Sequence, residues 1–272
     1  MTRTGNPFSN LYRHRDLVVQ FTLREVEMRH KGSRLGHLWA ILRPMSLFAI
    51  YIFVFDLLLG GKYGTVAGET SSDFAVAMFL SLSLSNIVVE SIGVSPLMIV
   101  NQPNFVKKVV FPLEIIPLSS VATSVYHSLL SIVIVLAIAP FTHEGISWAG
   151  AAALPLLVFP LALIGLGLSW ALAAVGVFVR DVNQLVPFAS NLIVYASAVF
   201  YSPARVQTVP VAWAILRFNP LLAIFDQARR IVLWHMAPNY GTLAYAYLAA
   251  VTIVVFGYAL FSVLRPYFAE VI

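Results

Sequence analysis

Hydrophobic and polar positions fall into two regimes along this chain. From Leu11 to Arg34 the pattern is helical and charged. A period near 3.6 puts Arg13, Asp16, Gln20, Arg24, Glu27 and Lys31 on one stripe, at spacings of three or four residues where opposite charges pair. Leu17, Val18, Phe21 and Met28 flank that stripe on one side and Val19, Leu23 and Val26 on the other, while Arg15, Glu25 and Arg29 interrupt the back. The segment 11–35 therefore predicts a two-sided amphipathic helix at a membrane interface rather than a clean lipid-surface amphipath. A basic juxtamembrane helix that only fixes orientation is the alternative. Beyond it the chain turns apolar, in windows at 38–61, 74–100, 115–139, 149–179, 184–201 and 243–264. About 20 mostly apolar residues cross a bilayer, so the pattern predicts an all-α integral membrane fold. Six transmembrane helices fill residues 38–264, and residues 1–272 form one domain.

The connections differ in character. Residues 62–73, rich in Gly, Ser and Thr, read as a flexible turn. Pro103 and Pro112 bracket a compact turn around Asn104, Phe105, Lys107 and Lys108, because proline cannot simply extend the flanking helices. Pro155 and Pro160 near the start of the fourth window predict a kinked or outer-surface helix for its first part. Gly165, Gly167, Ser169, Ala171, Ala174 and Gly176 then offer small surfaces for close helix packing. Residues 202–242 are too long for a plain turn and too polar for a crossing. Pro203, Pro210, Pro220 and Pro238 divide them into short pieces, which predicts re-entrant outer helices with their turns buried in protein or facing water. Asp226 pairs locally with Arg229 and Arg230, at i+3 and i+4.

Charge refines this picture. The 272 residues are 60% hydrophobic and 11% charged, against about 25% charged for soluble domains. The net charge of +5 is carried entirely by the stretch up to Arg43, so the basicity concerns topology and the anionic leaflet, not nucleic acid. With both termini cytoplasmic, Arg3 to Arg43, Lys107, Lys108, Arg180 and Arg265 lie inside, whereas Lys62, Arg205, Arg217, Arg229 and Arg230 lie outside. The positive-inside rule favours that orientation. The first apolar run is too long for a signal-peptide core, so no cleaved signal is expected.

Chemistry-bearing patterns are sparse. The chain has no cysteine, no G-x-x-x-x-G-K-[ST] phosphate loop, no H-E-x-x-H and no G-x-S-x-G. Its six histidines show no ligand spacing, so neither a metal site nor a catalytic residue is expected. Glu90, on one face of the second window with Ser83 and Asn86, is either a functional acid or an interhelical hydrogen bond. Asp56 carries the same two readings.

Leu35-Gly-His-Leu-Trp-Ala-Ile-Leu-Arg-Pro44 after a charged helix, the Lys-Lys-Val-Val-Phe-Pro-Leu-Glu-Ile-Ile-Pro turn, Phe178-Val-Arg-Asp-Val182 and Asn219-Pro220 occur in that order. Together they resemble the membrane subunit of ABC-2 type polysaccharide exporters, the bacterial permeases for O-antigen, capsule and teichoic acid, over nearly the whole chain. Arg43 departs from the apolar residue expected there. The resemblance implies an inner-membrane homodimer joined to two copies of a cytoplasmic ATPase, which holds the ATP and magnesium while this chain holds no cofactor. It also implies a lipid-linked polysaccharide as substrate. The interface helix, through Arg24, Glu27 and Lys31, and the turn with Asn104, Phe105, Lys107 and Lys108 would seat the ATPase. Asn219, Pro220, Asp226, Arg229 and Arg230 would belong to an outer gate.

Two further expectations rest on chemistry. Sugars present apolar C–H faces that aromatic rings grip without strong directional bonds. Trp39, Tyr51, Tyr195, Phe200 and Tyr201, with Glu90, are thus the candidate channel lining, core packing being the alternative for each ring. Arg34 and Arg43 are candidates for a pyrophosphate or lipid headgroup, with plain anionic-lipid contact as the alternative. Rival readings are an ABC-2 permease for a small hydrophobic drug or lipid, an ion-coupled secondary transporter, and a membrane enzyme.

Overall fold

The computed structural model describes residues 14–58, 60–107 and 111–272, with every side chain in them except those of His30, His37 and Asp56. Among these residues all regular structure is helical. The charged segment forms α1, Arg15–His30. It lies against the fifth helix and leaves Val19, Leu23 and Met28 more than half exposed, as a helix with two apolar flanks requires.

The first apolar window becomes α2, Trp39–Tyr51, prolonged by a wide π-type turn over Ile52–Leu58. Then come α3, Ser71–Met98, the short α4, Pro103–Lys107, and α5, Ile115–Ile138. The fourth window divides where its prolines suggest. A short α6, Trp148–Ala152, is separated at Ala153 from α7, Leu154–Phe178, and Pro160 stays inside α7. The fifth window forms α8, Val182–Ala196.

Residues 202–242 fold as three short helices, α9 (Pro203–Gln207), α10 (Pro210–Leu216) and α11 (Pro220–Val232), each opening on a proline. Proline suits the first helical position because its missing N–H has no partner there in any case. The Ser202 and Asn219 side chains accept from the N–H groups of Ala204 and Leu221 and cap two of these starts. Last come α12, Tyr240–Leu264, capped by Asn239, and a terminal turn, α13, Phe268–Val271.

Four helical stretches are long and apolar enough to cross a membrane: Ser71–Met98, Ile115–Phe141, Trp148–Phe178 and Tyr240–Val271. The first and fifth windows are shorter as helices than as hydropathy runs. At about 1.5 Å per residue, α8 is roughly 22 Å long against a hydrocarbon core of about 30 Å.

The most enclosed of the four long stretches is α3, with 78% of its apolar window inside the protein against 22% for α12. It contacts α5, α7, α8 and α11. Its serines do not seek solvent. Ser81, Ser83, Ser91 and Ser95 donate to the carbonyls of Ala77, Phe79, Ile87 and Ser91, one turn back, which satisfies each hydroxyl inside an apolar bundle. The small residues of α7 permit near contact of backbones. A Cβ on Gly167 would stand 2.6 Å from the Ile253 carbonyl carbon, and one on Gly176 2.7 Å from Pro96 Cα. One core cluster, including Phe74, Leu80, Ile87 and Phe225, fills one end of the bundle. A second, including Met98, Ile116, Trp170 and Phe261, fills the end near α4.

Candidate functional site

Where α1 crosses the bundle it does not seal against it. Three cavities of about 500, 600 and 890 Å³ lie beside it. The first and second share Glu25, Met28 and Val94, and the second and third share Arg29, Arg43 and Glu90, so together they form one cleft. It runs from the α4 turn, at Asn101 to Phe105, to Trp39, Asn86 and His127.

At one end α1 and α4 are joined by rings: Phe21 lies 5.7 Å from Phe105 and 5.2 Å from Phe111, and those two are 4.7 Å apart. Arg24, Asn104 and Lys107 are exposed near this junction, with Phe105 half-buried within it, and Glu27 and Lys31 are exposed further along toward the other end of α1. Lys108 lies outside the described residues. Two segments expected to seat a partner are thus one surface, which the sequence left far apart.

Further along the cleft, Arg29 Nη1 donates to Glu90 Oε2 at 2.8 Å and lies 3.0 Å from His127 Nδ1. His127 Nδ1 is 3.4 Å from the same Glu90 oxygen. Glu90 is therefore an acid in the cleft whose carboxylate is held by a cation from α1, a partner that local sequence does not announce. Glu25, one turn before Arg29, has its carboxyl pushed above the ordinary range by burial, against the pull of Ser120, Arg29 and His127. Arg43 is exposed, lines the cleft and has no acidic partner among the described residues. Arg34 is exposed and is not among the residues lining the cleft.

The candidate channel rings separate into two groups. Trp39, 45% exposed, lines the cleft. The others gather at the far end of α2 and α8. Phe200 lies between Phe55, at 6.1 Å, and Tyr195, at 5.4 Å, while the Tyr51 ring is 6.3 Å from Phe55. The Tyr201 hydroxyl donates to the Tyr195 carbonyl at 2.5 Å, so that group supports the turn after α8. Tyr195 itself is 62% exposed.

Beyond α8 the three short helices are held by a residue whose role sequence did not reveal. Asp226 has both expected partners, with Arg229 and Arg230 each at 3.7 Å, but the Arg229 side chain is fully buried. Its Nη1 donates to Ser81 Oγ at 3.0 Å and to the Ala198 carbonyl at 2.8 Å, and its guanidinium sits 4.6 Å from the Tyr63 ring centroid. Tyr63 donates its hydroxyl to the Val199 carbonyl, and burial raises its pKa to about 12. Asn219, besides capping α11, donates to the Ala196 carbonyl at 3.0 Å. Pro220 is the first residue of α11.

A charged helix laid over a bundle, a short helix locked to it by aromatic rings and a polar cleft beneath are the features against which family membership is read. The ABC-2 type transporter profile matches residues 17–233, from α1 through α11. The chain belongs to the ABC-2 type transporter family. This ABC-2 membrane protein is also similar, over nearly its full length, to O-antigen export system permease proteins. The Myxococcus xanthus RfbA is 27% identical over 262 residues, 96% of each chain. A Klebsiella pneumoniae RfbA is 26% identical over 259 residues, 94% of this chain and 95% of the relative. Among the described residues no group of three or more His, Asp or Glu could hold a metal ion.

Proposed function

We propose that this chain is the transmembrane subunit of an ATP-driven exporter that moves a lipid-linked, O-antigen-like polysaccharide across the bacterial inner membrane. The observation that carries this reading is the match to O-antigen export permeases, which extends over 96% of both chains. The cleft and the α1–α4 surface supply the parts such a machine needs. Two copies of this chain pair around a passage, and two copies of a cytoplasmic ATPase bind ATP and magnesium.

Exposed Arg24, Glu27, Lys31, Asn104 and Lys107, with Lys108, form the seat for the ATPase, and the Phe21–Phe105–Phe111 cluster makes α1 and α4 move as one piece. Arg43, with Arg34 nearby in sequence, supplies cations for the phosphate groups of the lipid carrier. Tyr195 and Trp39 present exposed rings to sugar faces. Both termini lie in the cytoplasm, and the chain crosses six times. In that arrangement α2 draws on its π-type extension to reach through, α8 crosses with the turn around Ser197–Tyr201, and α9–α11 dip into the outer leaflet as a gate built on Asn219, Pro220, Asp226, Arg229 and Arg230.

The test is co-purification. Lys107→Glu with Lys108→Glu reverses the charge of the α4 turn and should reduce recovery of the ATPase with the detergent-solubilised permease. Unchanged recovery removes that turn from the contact. Deleting the gene should leave the strain's surface polysaccharide inside the cell; normal surface polymer refutes the substrate reading.

A further inference from the structure

We propose that Arg29, bonded at once to Glu90 on α3 and to His127 on α5, is the coupling brace that delivers motion of α1 to the spans. This rests on α1 being the seat of the ATPase. Helix α1 lies along α5 and has a fixed contact near each of its ends. Near its start, Phe21 packs into the α4 turn, and the Thr22 carbonyl lies 3.5 Å from the Thr123 hydroxyl. Near its end, Arg29 reaches across to the bundle. The cleft opens alongside and between these contacts, so α1 and α3 are not joined by close-packed side chains there. Packed interiors transmit displacement because they are dense, and a void does not. A push on α1 therefore reaches α5 by direct packing, and reaches α3 directly only if something stiff bridges the cleft.

Arg29 is that bridge. One guanidinium nitrogen lies 2.8 Å from a carboxylate on α3 and 3.0 Å from an imidazole nitrogen on α5, and those two partner atoms are 3.4 Å apart. Three helices thus share one charge-assisted contact, the strongest kind of hydrogen bond a side chain makes. Glu90 sits on the most enclosed of the four long stretches, which contacts α5, α7, α8 and α11. Displacing Glu90 moves the helix that organises the spans. The other charged groups at this place, Glu25, whose carboxyl feels Ser120 of α5, and Arg43, line the cleft but make no hydrogen bond to α3 among the described residues.

The experiment uses the full complex, with its ATPase, in cells and after reconstitution. Arg29→Ala and Glu90→Gln should leave ATPase recovery and ATP turnover within about twofold of wild type while surface polysaccharide, read by periodate–silver staining, falls about tenfold or more. Arg29→Lys, which keeps the charge but loses the planar fork, should fall between. The reciprocal pair Arg29→Glu with Glu90→Arg should recover export above either single variant, as coupled residues in a double-mutant cycle do.

The chain has no cysteine, so spin labels at Val19→Cys and Val94→Cys report the α1–α3 distance once the distances between the two copies, read from the singly labelled variants, are subtracted. That distance should stay constant through the ATP cycle in wild type and change in Arg29→Ala. Normal export by Arg29→Ala, no recovery in the reciprocal pair, or an ATP-dependent distance change in wild type overturns the brace. Failure of the wild-type chain to bind any ATPase overturns instead the exporter reading on which it stands. If Arg29→Ala does not accumulate in the membrane, Arg29→Lys and Glu90→Gln decide the matter.

Discussion

Gly257 on α12 faces the backbone of Gly167 on α7, and replacing it with alanine tests whether the bundle depends on that approach. A Cβ added at Gly257 would lie 2.6 Å from the Gly167 carbonyl carbon and 2.8 Å from its Cα, with the carbonyl oxygen nearer still. Ordinary carbon contacts lie at about 3.5–4.0 Å, so the two helices must part by roughly 1 Å. The obstructing atoms are backbone, which cannot rotate aside as a side chain can. Overpacking of this kind costs about 1–3 kcal/mol, and a gap of about 1 Å forfeits up to half the dispersion energy of each neighbouring contact. Alanine returns up to about 1 kcal/mol through its better helix propensity. The net loss is therefore about 2 kcal/mol, or a midpoint lower by roughly 4–8 °C at about 2–4 °C per kcal/mol. Gly93 on α3 is the internal control, because a Cβ there meets nothing within 4 Å. Gly93→Ala should leave the midpoint unchanged or raise it. The assay is tryptophan fluorescence on heating in one detergent, with size-exclusion profiles to confirm assembly. If Gly257→Ala unfolds no earlier than Gly93→Ala, the two helices are not held by backbone proximity and the reasoning fails.

Arg229→Ala should destabilise the protein by about 3–5 kcal/mol, the range for removing one member of a buried charged network. Arg229→Lys should not restore it, since an ammonium cannot reproduce the planar fork; a wild-type midpoint in either variant refutes the keystone role. Glu25→Gln probes the buried carboxyl of α1. A raised carboxyl pKa means the folded state binds its proton more tightly, so the charged form costs stability above the raised value and costs nothing once the pH is below the ordinary 4.5. Glu25→Gln should therefore unfold at or above the wild-type temperature at about pH 8, with the gap closing as pH falls toward 4.5; a gap that widens on acidification contradicts burial as the cause.

Features encoded locally were legible before the structure was known. The prolines at 203, 210 and 220 mark three helix starts because ring geometry acts on a single residue. The small residues of α7 mark close packing because only volume matters there. The break ahead of Pro155 follows from the same backbone rules. What depends on distant segments was not legible. Glu90 had two readings until Arg29, 61 residues away, arrived beside it. Arg229 read as one member of a local pair with Asp226, and only the fold brings Ser81 and Ala198 to it. Hydropathy also overstated the helical length of the first and fifth windows, since it weighs side chains and does not sense where backbone hydrogen bonding widens or stops.

The serine ladder of α3 constrains how that helix can travel. With their protons spent on their own backbone, these hydroxyls leave a dry exterior along most of the helix. Polar fastenings to other elements remain, among them Ser95 to Ser169 at 2.9 Å toward one end, Glu90 to Arg29 at 2.8 Å, and Ser81 to Arg229 at 3.0 Å toward the other end. Axial sliding strains all three at once, whereas bowing of the stretch between Ser81 and Glu90 leaves the anchors at its ends in place, so the least costly deformation of the central rod is a flex there.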